Sequence, residues 1–307
     1  MITFLIFKLA AVLVPALPRA VAYRLASLLA ELNFLISPRH RKNLISNLSR
    51  VLGKGASNIE LTTTARQVFR AQALNYVDLF SIPHLSSDFW NKNVKIIGKE
   101  HFDRAYTAGK GVIVASVHLG NLDLLVQTAA SFGIKVTVTI EPINPPKLLE
   151  LVTGLRASRG VTFVPVSTRG AITAAKTLRR GDVVALACDR DIQDRGIPVS
   201  LFGEPAKLPT GAIELAMMTG AAIVPVFGAR LAGGNTYTIT FKPQVELVED
   251  GERAVERNME RLVSVFEEQI SLHPEQWVVF ESVWEDDRAP MKNHKPKAVA
   301  SNSSIKR

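Results

Sequence analysis

Apolar residues dominate the first 36 positions, MITFLIFKLAAVLVPALPRAVAYRLASLLAELNFLIS, but Lys8, Pro15, Pro18, Arg19 and Arg24 interrupt them. A membrane-spanning helix needs about 20 mostly apolar residues, so this segment reads as two helices lying in or dipping into a bilayer, or as a buried hairpin packed on the rest of the chain. A secretory signal would be cut after Ala20-Val21-Ala22, but Arg19 and two prolines disturb its core and boundary, and apolar character resumes beyond. The basic cluster Pro38-Arg39-His40-Arg41-Lys42 follows directly, as expected where a chain leaves a bilayer on its cytoplasmic side; an ordinary solvated face has the same composition. Residues 59–82 then place Val68, Phe69, Ala73, Tyr76, Val77 and Phe80 at helical spacing, which predicts a core helix.

From Val94 the pattern changes to short β-rich runs, VKII, GVIVASV, KVTVTI, VTFVPV, DVVALAC and AAIVPVFGAR, separated by helical stretches at about 120–131, 145–158, 169–180 and 209–219. Gly133, Gly160, Gly181 and Gly220 punctuate the ends of those stretches. Such alternation predicts an α/β fold with a largely parallel central sheet flanked by helices. An amphipathic helix from about 251 to 272 precedes the apolar WVVF, and from Asp286 the chain is polar, basic and aperiodic, which predicts disorder. The expected organisation is thus an apolar N-terminal segment (1–36), an α/β domain (37–285) and a basic tail (286–307).

Composition narrows the partners. Lys and Arg number 37 against 28 acidic residues, a formal charge of +9, so nucleic acid, an anionic bilayer or an acidic carrier or phosphorylated substrate all fit. Aromatic residues are only 7% and no nucleic-acid-binding signature is visible, which argues against the first. A mean hydropathy of +0.14 leans towards membrane contact. The single cysteine, Cys188, excludes an internal disulfide, and His40, His84, His101, His273 and His294 form no ligand-spaced cluster, so no metal is predicted.

Chemistry concentrates where GVIVASV runs into His118-Leu119-Gly120-Asn121-Leu122-Asp123. A histidine at the carboxyl end of a strand in an open α/β sheet lies where ligands bind, and the five-residue offset brings Asp123 onto the first turn of the next helix, within reach of the imidazole. A carboxylate there would fix the tautomer and leave the other ring nitrogen free to take a proton. The same spacing also suits a strand-end histidine that merely caps the helix. Gly-x-Ser-x-Gly is absent, so the attacking group would be the acceptor's own hydroxyl. Gly120 permits close approach to the backbone, and the helix start offers N–H groups to a phosphate or oxyanion. Asp189 and Arg190 end another strand and should face the same edge, or form a surface ion pair with Asp191, Asp194 and Arg195.

ASVHLGNLD, followed by ALACDRDIQDRGIPVSLFGEPAKLPTGAIELAMMTGAAIVPVFGAR, resembles the bacterial lipid A biosynthesis (lauroyl/myristoyl) acyltransferase family, to which the phosphatidylinositol mannoside acyltransferases are similar. The resemblance covers most of the chain. It implies a glycerol-phosphate-acyltransferase-like fold and transfer of an acyl group from acyl carrier protein or coenzyme A, with no other cofactor, to a hydroxyl of a membrane glycolipid at the cytoplasmic face of the inner membrane. It implies His118 as general base and Asp123 as its orienting carboxylate, where lipid A enzymes usually carry glutamate; the mannoside and lysophospholipid acceptors therefore stay open. Glu141 and Arg156 match residues that line the site in the mannoside branch, with Arg156, or its neighbour Arg159, meeting phosphate. The helix after LPTG, with Ala212, Ala216, Met217 and Met218, is the expected bed for an acyl chain.

Overall fold

The computed structural model describes residues 2–86, 88–157, 160–248 and 251–284; the predicted basic tail and Arg159 lie outside the described residues. Four helices come first: α1 (Ile2–Ala16), α2 (Arg19–Ile36), α3 (Pro38–Val51) and α4 (Asn58–Ser81). Ser57 accepts the Glu60 N–H at 3.2 Å and so caps α4, with the acid three residues on that a capping box requires. α5 (Asp88–Asn93) leads into β1 (Val94–Ile97), and alternation follows through α6 (Lys99–Thr107), β2 (Val112–Ser116), α7 (Leu122–Ser131), β3 (Val136–Ile140), α8 (Pro146–Ala157), β4 (Thr162–Pro165), α9 (Thr168–Arg179) and β5 (Val183–Ala187). A hairpin of β6 (Ile197–Leu201) and β7 (Glu204–Leu208) precedes α10 (Gly211–Thr219), β8 (Ala222–Arg230), β9 (Tyr237–Phe241) and α11 (Ala254–Leu272).

Among the described residues the main sheet has the order β1-β9-β8-β2-β5-β3-β4 and is parallel at every pairing except β8–β9. β2 sits at its centre and is buried at all five positions, as its unbroken apolar run requires of a parallel strand covered on both faces. On one face Phe102 of α6 and Leu125 and Val126 of α7 pack on Val112, Val114, Val183 and Val226. On the other, α9, α10 and α11 pack on Ile113, Ala115, Val184 and Phe227, together with the hairpin. Three strands went unassigned in the sequence. LFGEPAKLPTG contributes to the β6–β7 hairpin, whose two-residue turn, Phe202-Gly203, takes the positive φ values (50° and 76°) that match strand twist. YTITF forms β9, which adds the antiparallel pairing.

The N-terminal helices are not a buried hairpin. α2 turns its small face, Ala22, Ala26 and Ala30 with Phe34, towards α4, while Leu28, Leu29, Leu35 and Ile36 point outward, each more than half exposed. α1 has no fully buried residue, and Ile2, Leu5, Ile6, Leu9 and Val12 are exposed. Among the described residues no single helix is long and apolar enough to cross a membrane.

Candidate active site

Strand register brings the site together. Ser116 of β2 pairs with Ala187 of β5, so the two chains leave the sheet side by side, and two residues later His118 faces Asp189. Asp189 Oδ1 lies 2.7 Å from His118 Nδ1, and Oδ2 accepts the His118 backbone N–H at 2.8 Å and the Trp277 indole N–H at 2.9 Å. Asp189 is 2% exposed and the imidazole 25%, so the acid is sealed beneath a ring that reaches solvent. Burial alone would raise the Asp189 carboxyl; attraction to His118 and the hydrogen bonds outweigh it and hold the group below its ordinary value. With an ionised acceptor on Nδ1, that nitrogen carries the ring proton and Nε2 keeps its lone pair.

Asp123, expected on the imidazole, is instead turned to Arg156 in the last turn of α8. Its Oδ1 lies 2.6 Å from Nε, and Oδ2 accepts from Nη2 at 3.2 Å. The physical reason is that the neighbouring strand already delivers a carboxylate to Nδ1, leaving the acid on α7 free for the cation on its other side. Glu141, one residue past β3, pairs with Arg190, two carboxylate–guanidinium contacts at 3.1 and 3.4 Å, and Arg190 also meets Glu281 at 3.3 Å. The residues singled out in the sequence, His118, Asp123, Glu141, Arg156, Asp189 and Arg190, therefore stand as three acid–base pairs along the carboxyl edge of β2, β3 and β5.

The loop between His118 and Asp123 is pinned through its backbone. Gly120 (φ 62°) donates its N–H to the Gln276 carbonyl at 2.8 Å and accepts at its own carbonyl from Asn75 Nδ2 at 2.6 Å. A side chain there would run into the Gly228 carbonyl. Val278 N–H reaches the His118 carbonyl at 2.7 Å. At the start of α7, Asn121 caps the helix by accepting the Leu124 N–H at 3.1 Å, so that donor is not available to a ligand. Trp277, Gln276 and Asn75 went unrecognised in the sequence: WVVF reads as plain core, and only the indole N–H, which needs a partner when buried, hinted otherwise.

Among the described residues, neither Ser116 nor Cys188 near His118 is poised as a nucleophile. Ser116 Oγ is buried and turned to the Val117 carbonyl, and burial together with the Asp189 carboxylate pushes the Cys188 thiol up to about 12, so it stays protonated. Ala212 and Ala216 face the core rather than a groove, while Met217 and Met218 lie at the surface. A small apolar cavity of about 30 Å³ lies beneath α7, lined by Phe102, Val114, Leu125, Ala129, Val136 and Ile239 among others.

The model of the family described as bacterial lipid A biosynthesis acyltransferase matches residues 1–286. The chain belongs to that family. It is an acyltransferase, and similar to the phosphatidylinositol mannoside acyltransferases of Mycobacterium tuberculosis (28% identical over 255 residues, 79% of this chain and 77% of the relative) and Mycolicibacterium smegmatis (26% over 251, 79% of each). It also resembles the lipid A biosynthesis lauroyltransferase of Escherichia coli, 27% identical over 241 residues and 75% of each chain.

Proposed function

We propose that this acyltransferase moves a fatty acyl group from a thioester of acyl carrier protein or coenzyme A to a hydroxyl of a membrane glycolipid, with a mannosylated inositol lipid as the second acceptor class. The observation that carries this reading is a solvent-reaching imidazole whose Nδ1 is held by a sealed carboxylate. Nε2 takes the proton of the acceptor hydroxyl, the oxygen attacks the thioester carbonyl, and the carbon–sulfur bond breaks. The departing thiolate then takes the proton from the imidazolium, which the Asp189 carboxylate has stabilised meanwhile. Asp123 holds Arg156, and Glu141 holds Arg190, with guanidinium N–H groups left over for substrate phosphate.

The outer faces of α1 and α2 supply the membrane contact. Each large apolar side chain left in water forfeits about 1.5–3 kcal/mol of burial, and these helices carry more than ten of them beside exposed Lys8, Arg24, Arg39 and Lys42. Apolar faces rimmed by cations suit an anionic bilayer surface, with the helices lying along it on the cytoplasmic side of the inner membrane. Thiol release from an acyl-coenzyme A donor with an extracted glycolipid acceptor tests the chemistry. His118→Ala should lower turnover by about 100-fold or more with the fold intact. Near-normal turnover by that variant would overturn the reading.

A further inference from the structure

We infer that Asp78 and Arg19 are positioning residues that tie the seating of the N-terminal helices to the geometry of the catalytic loop. The inference rests on the reading of residues 118–123 as that loop. Asp78, on α4, is fully buried, and its carboxylate is the meeting point of four other elements. Oδ1 accepts from Arg19 Nη2 and the Tyr23 hydroxyl of α2, both at 2.6 Å. Oδ2 accepts from Arg230 Nη2 of β8 at 2.6 Å, the Tyr237 hydroxyl of β9 at 2.8 Å and Asn121 Nδ2 at 2.7 Å.

Asn121 links this hub to the reaction. Its amide nitrogen is spent on Asp78 and its oxygen on the cap of α7, the helix whose first turn carries Asp123. Asn75, one turn before Asp78, grips the Gly120 carbonyl and accepts from Arg230 Nη2 at 3.1 Å. Both backbone anchors of the loop on the α4 side are therefore fixed by one charged network.

One carboxylate balances two guanidinium groups here. Arg230, its side chain 9% exposed, already neutralises Asp78 from within the sheet, so Arg19 is a second cation contributed by the helix pair whose outer face is apolar and exposed. Without Arg19 and Tyr23, Oδ1 would be left in the interior short of donors, and the carboxylate would re-form its bonds around Arg230 and Tyr237 at the expense of Asn121. The sheet cores on either side of β2 contain no residue of α1 or α2, so the effect is directed to the loop rather than to the whole fold.

Hydrogen–deuterium exchange on the full-length protein tests this without knowledge of the acceptor. Arg19→Ala should speed exchange of the Leu124 N–H by about tenfold, the scale of a lost helix cap, while amides of 112–116 and 254–272 keep wild-type rates. Arg19→Lys should restore most of the protection, and Tyr23→Phe, a milder loss on the same oxygen, should give an intermediate change. With octanoyl-coenzyme A as donor, kcat of Arg19→Ala should fall by about the same factor with donor KM within about twofold. Wild-type exchange at Leu124 in both Arg19→Ala and Tyr23→Phe would overturn the coupling, as would equal acceleration across the sheet. His118→Ala separates the two readings: it should abolish turnover yet leave exchange unchanged, and an active His118→Ala would remove the catalytic reading while the exchange data still decide the coupling.

Discussion

Asparagine in place of Asp189 probes the site at its most tightly bonded point. The carboxylate receives three N–H groups, from His118 Nδ1 at 2.7 Å, His118 N at 2.8 Å and Trp277 Nε1 at 2.9 Å. Asparagine has the same shape but one accepting oxygen. If that oxygen stands where Oδ2 stood, under two converging donors, the amide NH2 faces His118 Nδ1 and forces it to accept. The ring proton then moves to Nε2, and the nitrogen aimed at the acceptor hydroxyl loses its lone pair. Loss of a charged hydrogen-bond partner alone is about 1.5–3 kcal/mol. The inverted tautomer adds to it, and the same replacement in the Ser-His-Asp triad lowers kcat by about 10,000-fold, or about 5.5 kcal/mol. We expect kcat of Asp189→Asn to fall by about 100- to 10,000-fold, with donor KM within about threefold, in a continuous assay of free thiol. Asp123→Asn is the control: Asp123 holds Arg156, so its loss should act chiefly on KM. An Asp189→Asn enzyme with more than about a third of wild-type kcat, beside an Asp123→Asn enzyme reduced about 100-fold or more, would return the imidazole to Asp123.

Gly120→Ala should lower unfolding free energy by about 2–5 kcal/mol in a urea titration, since its positive φ and the Gly228 carbonyl both oppose a side chain. Acid sensitivity follows from Asp189: a carboxyl held below its ordinary value contributes stability that is fully present above the unfolded value and is lost as pH falls through the folded one. The stability of Asp189→Asn should accordingly fall less steeply in that acid range than wild type, and parallel curves would contradict the assigned shift.

What could be read from residues alone was set by range. The strands from VKII to AAIVPVFGAR and the glycines closing the helices between them are local signals, and each appears within a few residues of its expected bounds. The order of strands in the sheet is not local. Nothing in GVIVASV or DVVALAC says that β2 and β5 are neighbours, and only that adjacency puts Asp189 on His118. Asp189 was visible as a strand-end acid, but its partner was not. YTITF alternates as a strand should, yet its five residues lie between a glycine-rich turn and a polar stretch and carry little weight alone. Asp78 offered a clearer hint, an acid between Val77 and Leu79 in the apolar last turns of α4, since a charge there must find partners.

A strand, a short loop and a helix with histidine and aspartate five residues apart permit two pairings, and the spacing cannot choose between them. The choice is made by what the adjoining strand delivers at the same height. Here β5, in register with β2, presents an acid that is already desolvated and held by the Trp277 indole and the His118 backbone N–H, so it reaches Nδ1 preorganised. Asp123, 18% exposed on α7, would have to abandon a guanidinium 2.6 Å away to compete. In the proposed mechanism the buried acid therefore orients the base while the helix acid fixes the cation, so one sheet edge would separate proton transfer from charge binding. That separation is why the Asp189 and Asp123 substitutions are expected to act on different kinetic constants.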